Sequence, residues 1–287
     1  MNYTTWRIVR GVGRGLDRRF GLHIADRVTT LRRRTARLLP AALYAVQYPG
    51  VRGRVHLDDN MMSRGDPETQ RHYARVGREA LELMVEALGT AGRSVASVQA
   101  CLDLPSGYGR VARMLVSKIP AARITVADVD GEAVRFCQHE FGVKGFVIGT
   151  DPETLSLPEK YDLVFVGSLL THLREEQCLA LLRSLYAGLM PGGVLVVTTH
   201  GESCLEHLYT YGTDIASAEA AYRDGMARRG MHFAPYDGAS DWGITLHSRD
   251  YVENAVHEQF GGNLTLLKFQ RRGWDDHQDV FSFRRVA

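Results

Sequence analysis

The chain has 287 residues, is 45% hydrophobic and carries a formal net charge of +2, which suits one large α/β domain or two small ones and excludes a disordered or fibrous chain. The charge is uneven: residues 1–45 hold ten Arg against Asp17 and Asp26, a balance of +8 that leaves −6 on the remainder. Four cysteines, Cys101, Cys137, Cys178 and Cys204, form no Cys-x-x-Cys pair, which argues for reduced thiols in a cytoplasmic protein and against a structural zinc site.

In chain order, Trp6, Val9, Val12, Leu16 and Phe20 fall at helical spacing. Ile24, Val28, Leu31 and Leu38 line one face of a second helix crowded with Arg27, Arg32, Arg33, Arg34 and Arg37. Such a basic amphipathic arm suits pairing with another subunit or peripheral docking on an anionic inner membrane face. Residues 49–66 are rich in Gly, Asp and Asn and read as a linker. A long helix follows, with Val76, Ala80, Met84 and Leu88 every four residues and Leu81 and Val85 widening the stripe.

From Val95 strands and helices alternate. Strands are expected over 95–104, 124–128, 145–149, 161–167 and 194–199, and helices over 110–119, 132–141 and 174–189. That alternation predicts an α/β fold with a doubly wound, mostly parallel sheet. After Gly201 come helical stretches at 202–211, 215–229 and 249–259, with an aromatic segment, His232 to Tyr236, between them. Runs at 264–269 and 279–284 then close the chain as an antiparallel hairpin.

The strand ending at Leu104 runs into Pro105-Ser106-Gly107-Tyr108-Gly109, a Gly-x-Gly turn between strand and helix. Glycine there lets a ligand approach the backbone, and the N–H groups opening the next helix favour a negative group. Asp128 ends the second strand about twenty residues on, the offset of a ribose-binding acid.

Leu102-Asp103-Leu104-Pro105-Ser106-Gly107-Tyr108-Gly109, Ile124 to Asp128, Tyr161-Asp162-Leu163-Val164 and Leu189-Met190-Pro191-Gly192-Gly193 together resemble the motifs of class I S-adenosylmethionine-dependent methyltransferases. The match runs from about 95 to 200, with the hairpin extending it. It implies a Rossmann-like methyltransferase sheet and S-adenosyl-L-methionine as cofactor. It also implies that Asp103 and the backbone of Ser106, Gly107, Tyr108 and Gly109 hold the methionine end, Asp128 the ribose, and that Val129 packs on adenine. Asp151 would accept from the adenine amino group, and Gly167 with Ser168 would floor the methyl. Pro105 stands where the family usually has glycine, so the loop geometry is expected to differ. Gly167 to Leu173, Thr199-His200-Gly201 and Trp274 to Val280 further resemble a branch associated with glycosyltransferases and surface polysaccharides.

The resemblance divides the chain into an arm at 1–48, a linker and cofactor-covering helix at 49–94, and the methyltransferase domain at 95–287, with an acceptor-site insertion at about 202–260. Methyl transfer to a hydroxyl calls for a base, and His200, His172 and His277, in that order, are the candidates, each at a predicted strand end or turn. Tyr236, Asp241 and Trp242 are candidates for the acceptor pocket. No Asn-Pro-Pro-Tyr-type motif occurs, which favours oxygen in a glycan, sugar or other small molecule. Alternatives are an RNA methyltransferase gripping phosphates with the arm, and a non-catalytic, cofactor-binding structural subunit.

Overall fold

The computed structural model describes residues 45–48, 50–62 and 66–286. The Arg-rich segment 1–44, with both predicted arm helices, lies outside them. The chain forms two compact units, Met1–Arg75 and Val76–Ala287, and the boundary falls within helix α1 (Pro67–Thr90).

In the first unit, the segment expected to be a linker contributes to a small hairpin. Strands β1 (Ala45–Gln47) and β2 (Arg54–His56) pair antiparallel, and Tyr48, Val51, Val55 and Met62 form a small core with Tyr73 and Ala74. The Tyr73 hydroxyl donates to Asp59 Oδ2 at 2.7 Å. The glycines that suggested a linker are turn residues here, Gly50 and Gly53 both having positive φ.

The second unit opens with the rest of α1. Val76, Ala80, Met84 and Leu88 are buried as the periodicity predicts, but Leu83 and Ala87 widen the stripe, while Val85 is exposed. The sheet then follows: β3 (Cys101–Leu104), β4 (Ile124–Asp128), β5 (Lys144–Val147), β6 (Tyr161–Val166), β7 (Leu189–Thr199), β10 (Leu264–Trp274) and β11 (Gln278–Arg285). Its order is β10-β11-β7-β6-β3-β4-β5. The strands from β5 to β7 run parallel and β11 lies antiparallel to β7. The central strands are near-continuous apolar runs because helices cover both faces, and β6 is buried along its whole length. This is the Rossmann-like sheet with an antiparallel C-terminal hairpin that the sequence predicts.

Two local expectations fail. Residues 95–97 form a 3₁₀ turn rather than strand, and regular helix after the glycine loop is confined to α2 (Ala112–Leu115), with looser turns reaching Ile119. Helix α3 (Gly131–Phe141) is capped by Asp130, whose side chain accepts from the Glu132 N–H. Helix α4 (Glu175–Gly188) precedes β7.

The stretch after β7 contains a 3₁₀ segment (Glu202–Tyr211), α5 (Thr213–Ser217), α6 (Glu219–Arg229), the hairpin β8 (Met231–Pro235) and β9 (Gly243–His247), and α7 (Arg249–Phe260). It has its own core of Cys204, Leu208, Ile215, Tyr222, Met226, Ala234, Ile244 and Leu246. The His247 N–H donates to His200 O at 2.8 Å, fastening β9 to the end of β7. All four cysteines are buried and free. Among the described residues no helix is long and apolar enough to cross a membrane.

Candidate active site

All the predicted site residues lie in the second unit, most at the carboxyl ends of parallel strands. The loop leaving β3 begins with a cis Leu104–Pro105 peptide. It is then tied down by Ser106 N–H donating to Ala127 O and Gly109 N–H to Ser106 O, both at 2.9 Å. Gly107 and Gly109 have φ of +49° and +79°, but they serve different needs. A Cβ on Gly107 would meet nothing within 4 Å, so that face stays open. One on Gly109 would sit 2.6 Å from the Phe141 ring and 2.9 Å from Cys137 Sγ, so this glycine permits packing against α3.

Asp128 accepts from Gly107 N–H at 2.7 Å through Oδ2 and from Asp130 N–H at 2.9 Å through Oδ1. It therefore braces the loop, a role the sequence reading did not assign. Burial raises its pKa. Asp103 is buried, its Oδ2 has no partner, and its pKa is pushed up to about 8 by burial and then by the neighbouring Asp128 charge, against the pull of the Ala112 N–H and Arg110. Val129 is 52% exposed although apolar, as a platform for a flat ring would be. Asp151 is exposed and caps a 3₁₀ turn, Oδ1 accepting from Glu153 N–H at 2.9 Å.

Ser168 follows β6 with φ +59°, a backbone state costing on the order of 1–3 kcal/mol. Three groups hold it there. Its N–H donates to Thr198 Oγ1 at 2.8 Å, Thr171 Oγ1 donates to its carbonyl at 2.8 Å, and Gln278 Nε2 donates to its Oγ at 2.9 Å. Gln278 also accepts from Thr198 Oγ1 at 2.6 Å. Gly167 is required by the rings of Phe165 and Trp274, which lie 2.6 and 2.9 Å from where a Cβ would be. Trp274 stands edge-on to Phe165, carries the Arg110 guanidinium on its face and donates to Val76 O at 2.9 Å.

The three histidines converge. His200 is buried, with ring centroids 6.3 Å from His172 and 5.0 Å from both His277 and Tyr211. Burial drives its pKa well below the usual value, and the other imidazoles push the same way; Nδ1 has no partner. His277 Nε2 is 2.5 Å from the Tyr211 hydroxyl. His172 Nδ1 is 2.8 Å from Gly243 O, and since a carbonyl only accepts, the proton sits on Nδ1 and Nε2 keeps its lone pair. Its ring stacks on Trp242 at 4.7 Å, and Trp242 is 45% exposed. Tyr236 OH lies 3.4 Å from the same Nδ1, and Asp241 pairs with Arg174 at 3.1 Å. Among the described residues no three His, Cys, Asp or Glu are grouped to hold a metal ion.

A family model described as a methyltransferase domain matches residues 101–193, the span from β3 through the Pro-Gly-Gly turn. The chain carries a class I S-adenosylmethionine-dependent methyltransferase domain. Among solved structures, the PH0226 protein of Pyrococcus horikoshii OT3 is 14% identical over 78% of this chain and 94% of that one, with a TM-score of 0.54. An O-methyltransferase family protein of Burkholderia thailandensis is 15% identical over 75% of this chain and 57% of that one, at 0.50. These likenesses show the fold. No curated protein sequence matches the chain.

The methyltransferase's cofactor, S-adenosylmethionine, suits the residues present: a buried carboxyl at Asp103 with one oxygen, Oδ2, lacking a hydrogen-bond partner, an open backbone face at Gly107 and an exposed apolar side chain at Val129. Sequence reading missed Thr198, Tyr211 and Gln278. Each acts through a contact distant in sequence, which no local pattern signals.

Proposed function

We propose that this methyltransferase methylates a hydroxyl oxygen of a sugar, glycan or other small polyol, and that His172 takes the hydroxyl proton. Bound S-adenosylmethionine supplies an electrophilic methyl on its sulfonium. Asp103, the Ser106–Gly109 backbone, Asp128, Val129 and Asp151 are the residues that would hold it, over a floor of Gly167 and Ser168.

The observation that carries the reading is the hydrogen bond from His172 to Gly243 O. It commits Nδ1 as donor and leaves Nε2 as the basic nitrogen of an imidazole that burial keeps neutral. His172 is half-buried, whereas His200 is almost wholly enclosed, which ranks His172 above His200 as a group an acceptor could meet. The exposed face of Trp242 beside it suits the C–H face of a sugar ring, and Tyr236 offers a hydroxyl.

The test uses labelled cofactor with a panel of sugars, sugar nucleotides and extracted glycans. His172→Gln should lower turnover on the order of a hundredfold or more, as loss of a general base does, and leave cofactor affinity within about threefold. Unchanged turnover in that variant removes His172, and labelled product only on amines or RNA removes the polyol reading.

A further inference from the structure

We propose that Arg113 is a positioning residue for the cofactor loop, its buried guanidinium fixing the backbone of 106–110 from behind. The side chain is wholly buried, 0% exposed, on the single regular turn of α2. Its Nε donates to Gly109 O at 3.0 Å and its Nη2 to Tyr108 O at 3.1 Å. The guanidinium lies 5.1 Å from the Phe141 ring centroid, and Phe141 is also the ring that Gly109 makes room for.

Removing a guanidinium from water is costly, and methionine or leucine would fill the space with no such cost. What a hydrocarbon cannot do is donate to two consecutive carbonyls in a planar fork. The consequence is directional. With the Tyr108 and Gly109 carbonyls drawn inward, planar trans peptides turn the Gly109 and Arg110 N–H groups the opposite way. One of them, on Gly109, closes the turn onto Ser106 O. The loop conformation that leaves Gly107 open is thus set by a side chain six residues on, and a full positive charge stands beneath it. A four-residue helix has little dipole to offer in its place.

The inference rests on cofactor binding by this domain and is independent of the acceptor. It is tested with the full chain and S-adenosylhomocysteine as probe, by calorimetric affinity, amide hydrogen exchange over 106–110 and thermal unfolding. Arg113→Lys keeps charge but loses the fork. It should weaken binding by about tenfold or more, the scale of losing charge-assisted hydrogen bonds from a pre-organised loop, and speed exchange in the loop. Leu115→Ala is the control, since Leu115 is fully buried on the same turn but has no side-chain donor to offer a loop carbonyl. It should lower the unfolding temperature at least as much and leave affinity within about threefold. If Arg113→Lys fails to fold, Phe141→Leu removes the shelf beneath the guanidinium and should weaken binding in the same direction. Unchanged affinity in Arg113→Lys, or in Phe141→Leu where that variant stands in, overturns the proposal. So does an equal loss in Leu115→Ala, which would make Arg113 a packing residue only.

Discussion

Asp103 carries one oxygen that nothing in the protein meets, beside a second buried carboxylate, Asp128. A carboxyl with its pKa near 8 is mostly protonated at pH 7, and a cationic ligand group beside it would favour the ionised form. Cofactor binding below pH 8 should therefore release a proton, and affinity should climb by up to about tenfold per pH unit before levelling above pH 8. Calorimetry in buffers of different ionisation enthalpy measures that proton. In Asp103→Asn the release should vanish and the pH dependence flatten. The same group has a stability consequence. Its folded pKa lies above its unfolded value, so its contribution is full below about pH 4 and is lost as pH rises towards 8. Unliganded protein should lose unfolding temperature between pH 6.5 and 8, and Asp103→Asn should lose less. The residue's position was legible from its motif. That Oδ2 has no partner was not, because that depends on what β4 and α2 place around it.

At the scale of elements, the closing hairpin matters more than its place at the sheet edge suggests. Its turn delivers Trp274 under Gly167, His277 to Tyr211 and Gln278 to Ser168. Gln278→Met should cost about 1–3 kcal/mol, because it leaves Thr198 and the left-handed Ser168 short of a partner, and should weaken cofactor binding; chemical unfolding and calorimetry read the two effects. The alternating runs at 264–269 and 279–284 revealed the hairpin, whereas its reach to Trp274 did not show, since Arg271, Arg272 and Gly273 break the apolar pattern. The reverse happened at 95–104. An apolar run suggested one long strand, but only Cys101, Leu102 and Asp103 find partners on both sides, and Leu104 on the β6 side. Likewise the apolar spacing of 110–119 suggested a full helix, although the buried Arg113 uses the Gly109 carbonyl that also accepts the first helical N–H.

For the molecule as a whole, the mostly parallel sheet and its antiparallel edge follow from the strand–helix alternation and the closing runs, which is why the fold class was legible in the sequence, whereas the strand order was not, since alternation alone does not fix which strands are neighbours. The stretch after β7 was less legible: its helical segments were visible, but the β8–β9 hairpin that delivers Gly243 O to His172 was seen only as an aromatic segment. Burial of several neutral histidines also sets the acid limit of the fold. His247, fully enclosed, has its pKa held at about 4, and burial holds that of His200 well below the usual value as well. Groups with folded pKa below the unfolded value give stability that is present above about pH 6.5 and lost as pH falls through the folded values. Unfolding should take up protons in that window, and His247→Gln should shallow the fall in unfolding temperature between pH 6.5 and 4.5, measured by circular dichroism.

The stretch between β7 and β10 has a core of its own, so its outward-facing residues answer to different constraints from those of the sheet. On the function proposed above, substitution of the exposed Trp242 would alter which molecule is admitted without disturbing the core of the sheet. On that same proposal, a library confined to the exposed positions of this stretch would be the route to new acceptor preferences, and drift there would let lineages diverge in product while keeping one catalytic chassis.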